Sequence, residues 1–247
     1  MTENDLRLAL DKLADNGRRI DFWLRDDDAV EPTEQLAKLA TMTDAFSVPA
    51  TLAVIPEKTG ADLAFYLDTQ PHLDVAVHGW SHRNYAGAGA GAGEKKQELG
   101  SHRPMPDIVS ELKRGFDKLA AWHAPRFVPM LVPPWNRIAP ELVEALPALG
   151  FKALSTFGPE KTAPVAMLNS HVDIMDWHGT RGGRPASELI AETIALIETP
   201  ERAPVIGVLG HHLVHDDNAW HFLDLLFGVT ADHPACRWRS ARDLLGL

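Results

Sequence analysis

The 247-residue chain has one cysteine, Cys236, and only two tyrosines. A single thiol excludes an internal disulfide and every cysteine-rich zinc motif. A reducing compartment fits that usage. Basic residues are outnumbered, 24 against 34 acidic, and the net charge is -10. That balance argues against a nucleic-acid surface and for a solvated acidic exterior. No apolar run approaches the roughly 20 residues that span a bilayer. The opening stretch MTENDLRLALDKLADNGRRIDF lacks the basic start, apolar centre and small-residue cleavage site of an export signal. Leu6, Leu8, Leu10 and Leu13 alternate with charges there and read as a helix. These absences lead to the expectation of a cytoplasmic protein without membrane or nucleic-acid partners.

What remains is ordinary globular composition, 45% hydrophobic and 23% charged, in a chain long enough for a substantial core. Strand-like and helix-like stretches alternate. IDFWL, ATLAVIP, LDVAVHGW, FVPMLVPPW, KALSTF, AMLNSHVDIMDW and APVIGVLGHH read as extended. TEQLAKLATMTDAF, GADLAFYLDTQ, PDIVSELKRGFDKLAAWH, APELVEALPALG, SELIAETIALIETP and NAWHFLDLLFGV show helical spacing or helix-start signals. Alternating β and α segments predict parallel strands covered by helices. No linker forces a division, so residues 1–247 are expected to form one domain. The AGAGAGAG run sits inside the alternation and reads as a loop.

Unusual chemistry falls where the strands end. IDFWL runs into Arg25, Asp26, Asp27 and Asp28. LDVAV runs into His78, with His82 four residues on. FVPML runs into Pro134, Trp135 and Asn136. HVDIM runs into Asp176 and Trp177. VIGVLG runs into His211 and His212. In a parallel α/β barrel, those ends converge on one face, where active sites lie. Two imidazoles and a carboxylate with open positions suit Zn²⁺, and also Co²⁺, Ni²⁺, Fe²⁺ or Mn²⁺. Of His211 and His212, at most one faces such a site if the strand continues through them.

In this order the motifs resemble those of the polysaccharide deacetylase superfamily (NodB homology, carbohydrate esterase family 4). The matching stretches are Asp27-Asp28, HGWSH, LVPPWN, DIMDW and VLGHH, from LRDDDAV to VLGHHLVHD. The resemblance implies a deformed (β/α) barrel of about seven parallel strands and a metal-dependent N-deacetylase. It implies Asp27 as general base, with Asp28, His78 and His82 as metal ligands, most simply of Zn²⁺. Asp26-Asp27 is the alternative register. The late histidine would protonate the leaving amine, with Asp176 orienting it; His211 fits best and His212 is the alternative. Trp135, Asn136, Trp177, His212 and Arg25 are the expected substrate contacts.

The sequence departs from that pattern at Val132, where the third motif ordinarily carries an arginine that holds the base. Arg25 or Arg137 are the candidates to replace it. With no export signal evident, a small glycan or other N-acylated substrate is expected rather than a wall polymer. A non-carbohydrate amide or cyclic imide, and a non-catalytic glycan-binding barrel, are the competing readings. AGAGAGAG is expected as a mobile segment by the site mouth, and Lys95 and Lys96 as a solvated face. WHFLDLLF is read either as a homodimer surface or as a core helix.

Overall fold

The computed structural model describes residues 1–87 and 94–247. Most of the AGAGAGAG run therefore lies outside the described residues. The elements follow the chain as α1 (Glu3–Asp15), β1 (Ile20–Ala29), α2 (Glu34–Ala45), β2 (Ala50–Val54), α3 (Ala61–Leu67), β3 (Leu73–His78), α4 (Met105–Trp122) and β4 (Phe127–Val132). They continue as α5 (Pro140–Leu149), β5 (Ala153–Leu154), β6 (Ala166–Met167), β7 (Val172–Asp173), α6 (Ala186–Glu198), β8 (Val205–Gly210), α7 (Asp217–Thr230), β9 (Cys236–Trp238) and α8 (Ala241–Leu245).

Local chemistry explains several boundaries. Thr2 and Asp5 form a reciprocal capping box at α1, satisfying donors that the first helical turn leaves free. Thr33 and Asp216 cap α2 and α7 by accepting from Leu36 N and Ala219 N. Gly150, in a left-handed conformation, ends α5. Among the described residues no helix is long and apolar enough to cross a membrane.

The sheet runs β6-β5-β4-β3-β2-β1-β8-β7, every pair parallel. β9 joins β1 at its start, through Ile20↔Cys236 to Phe22↔Trp238. The two ends of this order belong to one continuous segment. Leu168 and Ser170 donate backbone N–H bonds to Leu154 and Thr156, and then His171 and Ile174 donate to Gly207 and Leu209. Switching partner in this way closes the sheet into a deformed (β/α) barrel. Nine strands take part rather than seven, because AMLNSHVDIMDW splits into β6 and β7 and CRW adds β9, while KALSTF shortens to the two residues of β5.

Side-chain alternation sorts the strands into two layers. Phe22 and Leu24 of β1, Val75 and Val77 of β3, and Ile206 and Val208 of β8 join the outer core beneath the helices. Trp23, Ala76, Val128, Met130, Val132 and Ala153 fill the barrel interior. The apolar side of α7 is spent on the outer core too: Phe222, Leu223, Leu226 and Phe227 are fully buried. That resolves WHFLDLLF as a core helix.

Trp23 plugs the interior and donates its indole N–H to the Asn169 carbonyl. The barrel is thus a packed core, and chemistry is confined to its rim. Gly207 faces this plug. A Cβ there would lie 2.3 Å from the Asn169 oxygen and 2.5 Å from Trp23 Nε1. Gly207→Ala is expected to destabilise the protein by about 1–3 kcal/mol through overpacking, measured by denaturant unfolding.

The opposite, N-terminal rim holds Asp74, half-buried beside Arg126 and Arg242. Burial pushes its carboxyl up to about 6, against the opposing charge of those arginines. Folding therefore disfavours the ionised form, and stability falls as pH rises from about 4 to about 6. Asp74→Asn is expected to raise Tm at pH 7 and to lose that advantage at pH 4, read by thermal unfolding at both pH values.

Candidate active site and metal centre

β1 enters the C-terminal rim carrying four consecutive charges. Following Trp23, the alternation turns Arg25 and Asp27 toward the barrel axis and Asp26 toward the outer layer. Asp28 breaks the alternation. β1 pairs with β2 through Asp27↔Ala53 and then Ala29↔Val54, so Asp28 is an extra residue in a bulge, with φ 76°. Such bulges re-aim a side chain at a strand end. Asp28 consequently shares the rim with Asp27.

Asp28 Oδ1 lies 3.2 Å from His78 Nε2 and 3.3 Å from His82 Nε2. One ligand atom from each of these three residues falls within 4.8 Å of the others. His78 Nδ1 is bonded to the Val132 carbonyl at 2.9 Å, which places the hydrogen on Nδ1 and leaves Nε2 facing the carboxylate. A bare Nε2 lone pair against Asp28 Oδ1 is repulsive unless a proton or a cation stands between them. Burial pushes His78 down, but Asp27 and Asp28 more than reverse it and hold the ring above its ordinary pKa. Burial and the charge of His78 push His82 down to about 4, which leaves its ring neutral and able to ligate. Burial would raise Asp28, but the hydrogen bond and charges of the two histidines keep it well below the usual carboxylate range. This donor set, with the backbone carbonyl behind His78, fits a divalent transition metal.

Beside this centre is Asp27, 3% exposed. Its Oδ2 accepts from the Arg25 guanidinium at 2.9 Å, and its Oδ1 has no protein partner. Arg25 is fully buried; it also donates to Ser155 Oγ, the Thr156 carbonyl and Asn136 Oδ1. The arginine against Asp27 thus comes from β1. Val132 is buried and apolar, and Arg137 donates to the Lys96 carbonyl. Arg25 was expected to contact substrate, but its donors face inward. The oxygen of Asn136 is likewise committed to Arg25.

The two late histidines separate as the alternation requires. His211 follows Gly207 and Leu209 onto the inner face, with Nε2 3.9 Å from Asp27 Oδ2. Its ring packs edge-on against Trp177 at 4.6 Å. His212 turns the other way and is fully buried, bonded through Nδ1 and its backbone N–H to Asp26. Burial alone would raise Asp26 and lower His212. Their mutual attraction reverses both shifts, holding Asp26 below and His212 above its ordinary pKa. This pair ties β1 to the exit of β8 behind the site, so neither member is placed for a substrate.

Asp176, expected to orient the late histidine, has a different task. Its exposed carboxylate accepts from Gly179 and Thr180 and closes the turn after β7. Those backbone bonds hold it below its usual pKa. The carboxylate near His211 is Asp173, which burial pushes up while Met175 N–H, the His211 charge and Trp177 Nε1 offset part of the rise. Its position three residues earlier in DIMDW was the available signal. Trp135, at φ 55°, packs against His82 at 4.4 Å, and Lys96 Nζ lies 5.9 Å from the Trp135 ring. Trp135 thus packs on His82 and Trp177 on His211.

Sequence reasoning overlooked Glu98. It is fully buried, and its carboxylate accepts from the backbone N–H groups of Trp80, Ser81 and His82 and from Ser81 Oγ.

Removing Arg25 would leave Asp27 a buried charge without a partner. Arg25→Ala is expected to destabilise the protein by about 3–5 kcal/mol, whereas Arg137→Ala changes stability by less than about 1 kcal/mol. Parallel denaturation curves check the contrast.

A scan against protein-family models finds no match, and neither does a search of curated proteins. Solved structures do match. One is a Mycobacterium smegmatis protein assigned to the polysaccharide deacetylases, with TM-score 0.67 and 14% identity over 93% of this chain and 90% of that one. A second is the Bc1960 peptidoglycan N-acetylglucosamine deacetylase, with TM-score 0.60 and 15% identity over 91% and 87%. A third is a family 4 acetyl xylan esterase from Clostridium thermocellum in complex with a cobalt ion, with TM-score 0.56 and 15% identity over 92% and 90%. This chain has the fold of the polysaccharide deacetylase superfamily, NodB-like and shared with the family 4 carbohydrate esterases.

Proposed function

We propose that the protein is a metal-dependent hydrolase that removes the acetyl group from an N-acetylated sugar. The observation that carries this reading is the convergence of Asp28, His78 and His82 beside Asp27, a buried carboxylate with one oxygen free. The solved structures of like fold include a peptidoglycan N-acetylglucosamine deacetylase and an esterase holding cobalt, which supports the same chemistry here.

Asp28, His78 and His82 would hold the cation. A divalent metal there supplies Lewis-acid polarisation of the acetyl carbonyl and acidifies water at neutral pH. Zn²⁺ suits the donor set, and Co²⁺, Ni²⁺, Fe²⁺ and Mn²⁺ are compatible with it.

The chain's own residues supply the rest. Asp27 acts as general base through Oδ1, because Oδ2 is bonded to Arg25. It takes the proton of the water that attacks the acetyl carbon. His211 approaches from the opposite wall and, as imidazolium, gives a proton to the departing nitrogen. The C–N bond then breaks to acetate and a free amine. Protonation matters because an unprotonated amide nitrogen is a poor leaving group. Trp177 packs on His211 and donates to Asp173, so this pair orients the acid. The indoles of Trp135 and Trp177 offer flat apolar walls for a sugar ring.

The test joins elemental analysis to acetate release from N-acetylated chitooligosaccharides. Wild type is expected to hold close to one equivalent of transition metal and to release acetate. His78→Ala should lose both. Asp27→Asn should keep the metal and lose about 10²- to 10⁴-fold in kcat. Wild type that stays metal-free after incubation with Zn²⁺, Co²⁺ or Ni²⁺ overturns the reading. Metal with turnover only on non-sugar amides would move it to the alternative substrate class.

A further inference from the structure

His82 ligates from an uncomfortable conformation. Its φ is 55°, in the left-handed region that a histidine rarely adopts, and Gly79 just before it has φ 58°. Strain of this kind costs on the order of 1–3 kcal/mol and persists only where the surroundings enforce it. The four residues from Gly79 to His82 form no helix, although the H-x-x-x-H spacing would allow one. Something other than helical hydrogen bonding must therefore hold the second imidazole opposite Asp28.

Glu98 does so. Its Oε1 accepts from Ser81 N at 2.7 Å and Ser81 Oγ at 2.9 Å, and its Oε2 accepts from Trp80 N at 3.3 Å and His82 N at 3.2 Å. Three successive backbone N–H groups converge on one carboxylate, an anion nest filled by the chain itself. A Cβ on Gly79 would lie 2.2 Å from Glu98 Oε2, so the glycine is needed for the carboxylate to fit as well as for its φ. Glu98 is fixed independently of the loop it grips. Leu99 bridges to Ile138 and accepts from Ala139 N–H. Gln97 exchanges bonds with Tyr85 N and Asn84 Oδ1, and Arg137 grips the Lys96 carbonyl.

We infer that Glu98 is a positioning residue for the metal centre: its buried carboxylate prepays the strain at His82, so the two imidazoles and Asp28 are set before a cation arrives. The inference rests on the metal centre proposed above. Next to His82, the backbone N–H groups of Tyr85 and Gln97 bond the Gln97 carbonyl and Asn84 Oδ1, adding a second tie at this point.

The isosteric amide tests this. Glu98→Gln leaves one acceptor oxygen, and the shorter bonds to Ser81 claim it. The amide NH₂ then faces the N–H groups of Trp80 and His82, donor against donor. Ser81→Ala removes a single bond and leaves the nest. Zn²⁺ affinity is measured by competition with a chromophoric chelator, and the visible spectrum of bound Co²⁺ reports coordination. Thermal unfolding of the metal-free proteins follows folding separately. The expected result is a ~10- to 100-fold loss of affinity in Glu98→Gln, the range for groups supporting metal ligands, with an altered Co²⁺ spectrum and a folded apo-protein. Ser81→Ala should lose less, in the same direction. Should Glu98→Gln fail to fold, Ser81→Ala decides, and its unchanged affinity and spectrum would overturn the inference. Wild-type affinity and spectrum in a folded Glu98→Gln would overturn it directly. Wild type that binds no metal strikes the centre itself, a result distinct from either.

Discussion

Three consecutive aspartates are the constraint around which the rim is built. Neighbouring carboxylates in a poorly solvated place repel strongly, and each resists losing water. Asp26 and Asp27 are nearly inaccessible and Asp28 is partly so. The chain answers by giving each its own counter-group in a different direction. Asp26 points outward to His212, Asp27 inward to Arg25, and Asp28, turned by the bulge, to His78 and His82. Only the third brings two imidazoles to one carboxylate, with one ligand atom of each within 4.8 Å of the others. A metal there would complete a pattern that the first two pairs have already satisfied with protein atoms. The acidic triplet is thus three separate devices on one strand: a strand-to-strand tie, a carboxylate held by Arg25, and a carboxylate facing two imidazoles.

This division explains what could be read from the sequence. The alternation of βs and αs, the chemistry at strand ends and the pairing of His78 with His82 follow local rules of spacing, and the fold bears out the barrel they imply. The inner row of Trp23, Arg25 and Asp27 follows from period-two geometry, as does the opposition of His211 and His212. Other features depend on distant chain segments. The remaining donors of Arg25 are satisfied by Ser155 and Asn136, 130 and 111 residues away, which no local rule foretells. In DIMDW the two aspartates differ in role because the turn after β7 captures Asp176, which no spacing rule states. Glu98 was illegible for the same reason. It follows a Gly/Ala run, stands 16 residues after His82, and looks like one more charge in EKKQELG.

Strain is concentrated where chemistry is proposed. Asp28, His82, Trp135 and Asn136 have positive φ, four of the six such non-glycine residues among those described. Such conformations are uncommon for any residue but glycine, and most so for a bulky side chain such as tryptophan. Each is held by a buried polar group from another element. Glu98 holds His82; Arg25 holds Asn136 and, through it, the turn that presses Trp135 on His82.

It follows that the rim is a linked assembly rather than a set of independent loops. Arg25 bonds both Asp27 and Asn136 in the turn carrying Trp135, and Trp135 packs on His82, whose backbone is gripped by Glu98. The packed barrel beneath, plugged by Trp23, leaves these members little room to move apart. The departure at Val132 is then intelligible in physical terms. An apolar side chain there fills the interior wall while its carbonyl fixes the His78 tautomer. The cationic partner of Asp27 has been supplied from the strand that carries Asp27 itself, where the two-residue spacing puts both side chains on the same face without help from any loop.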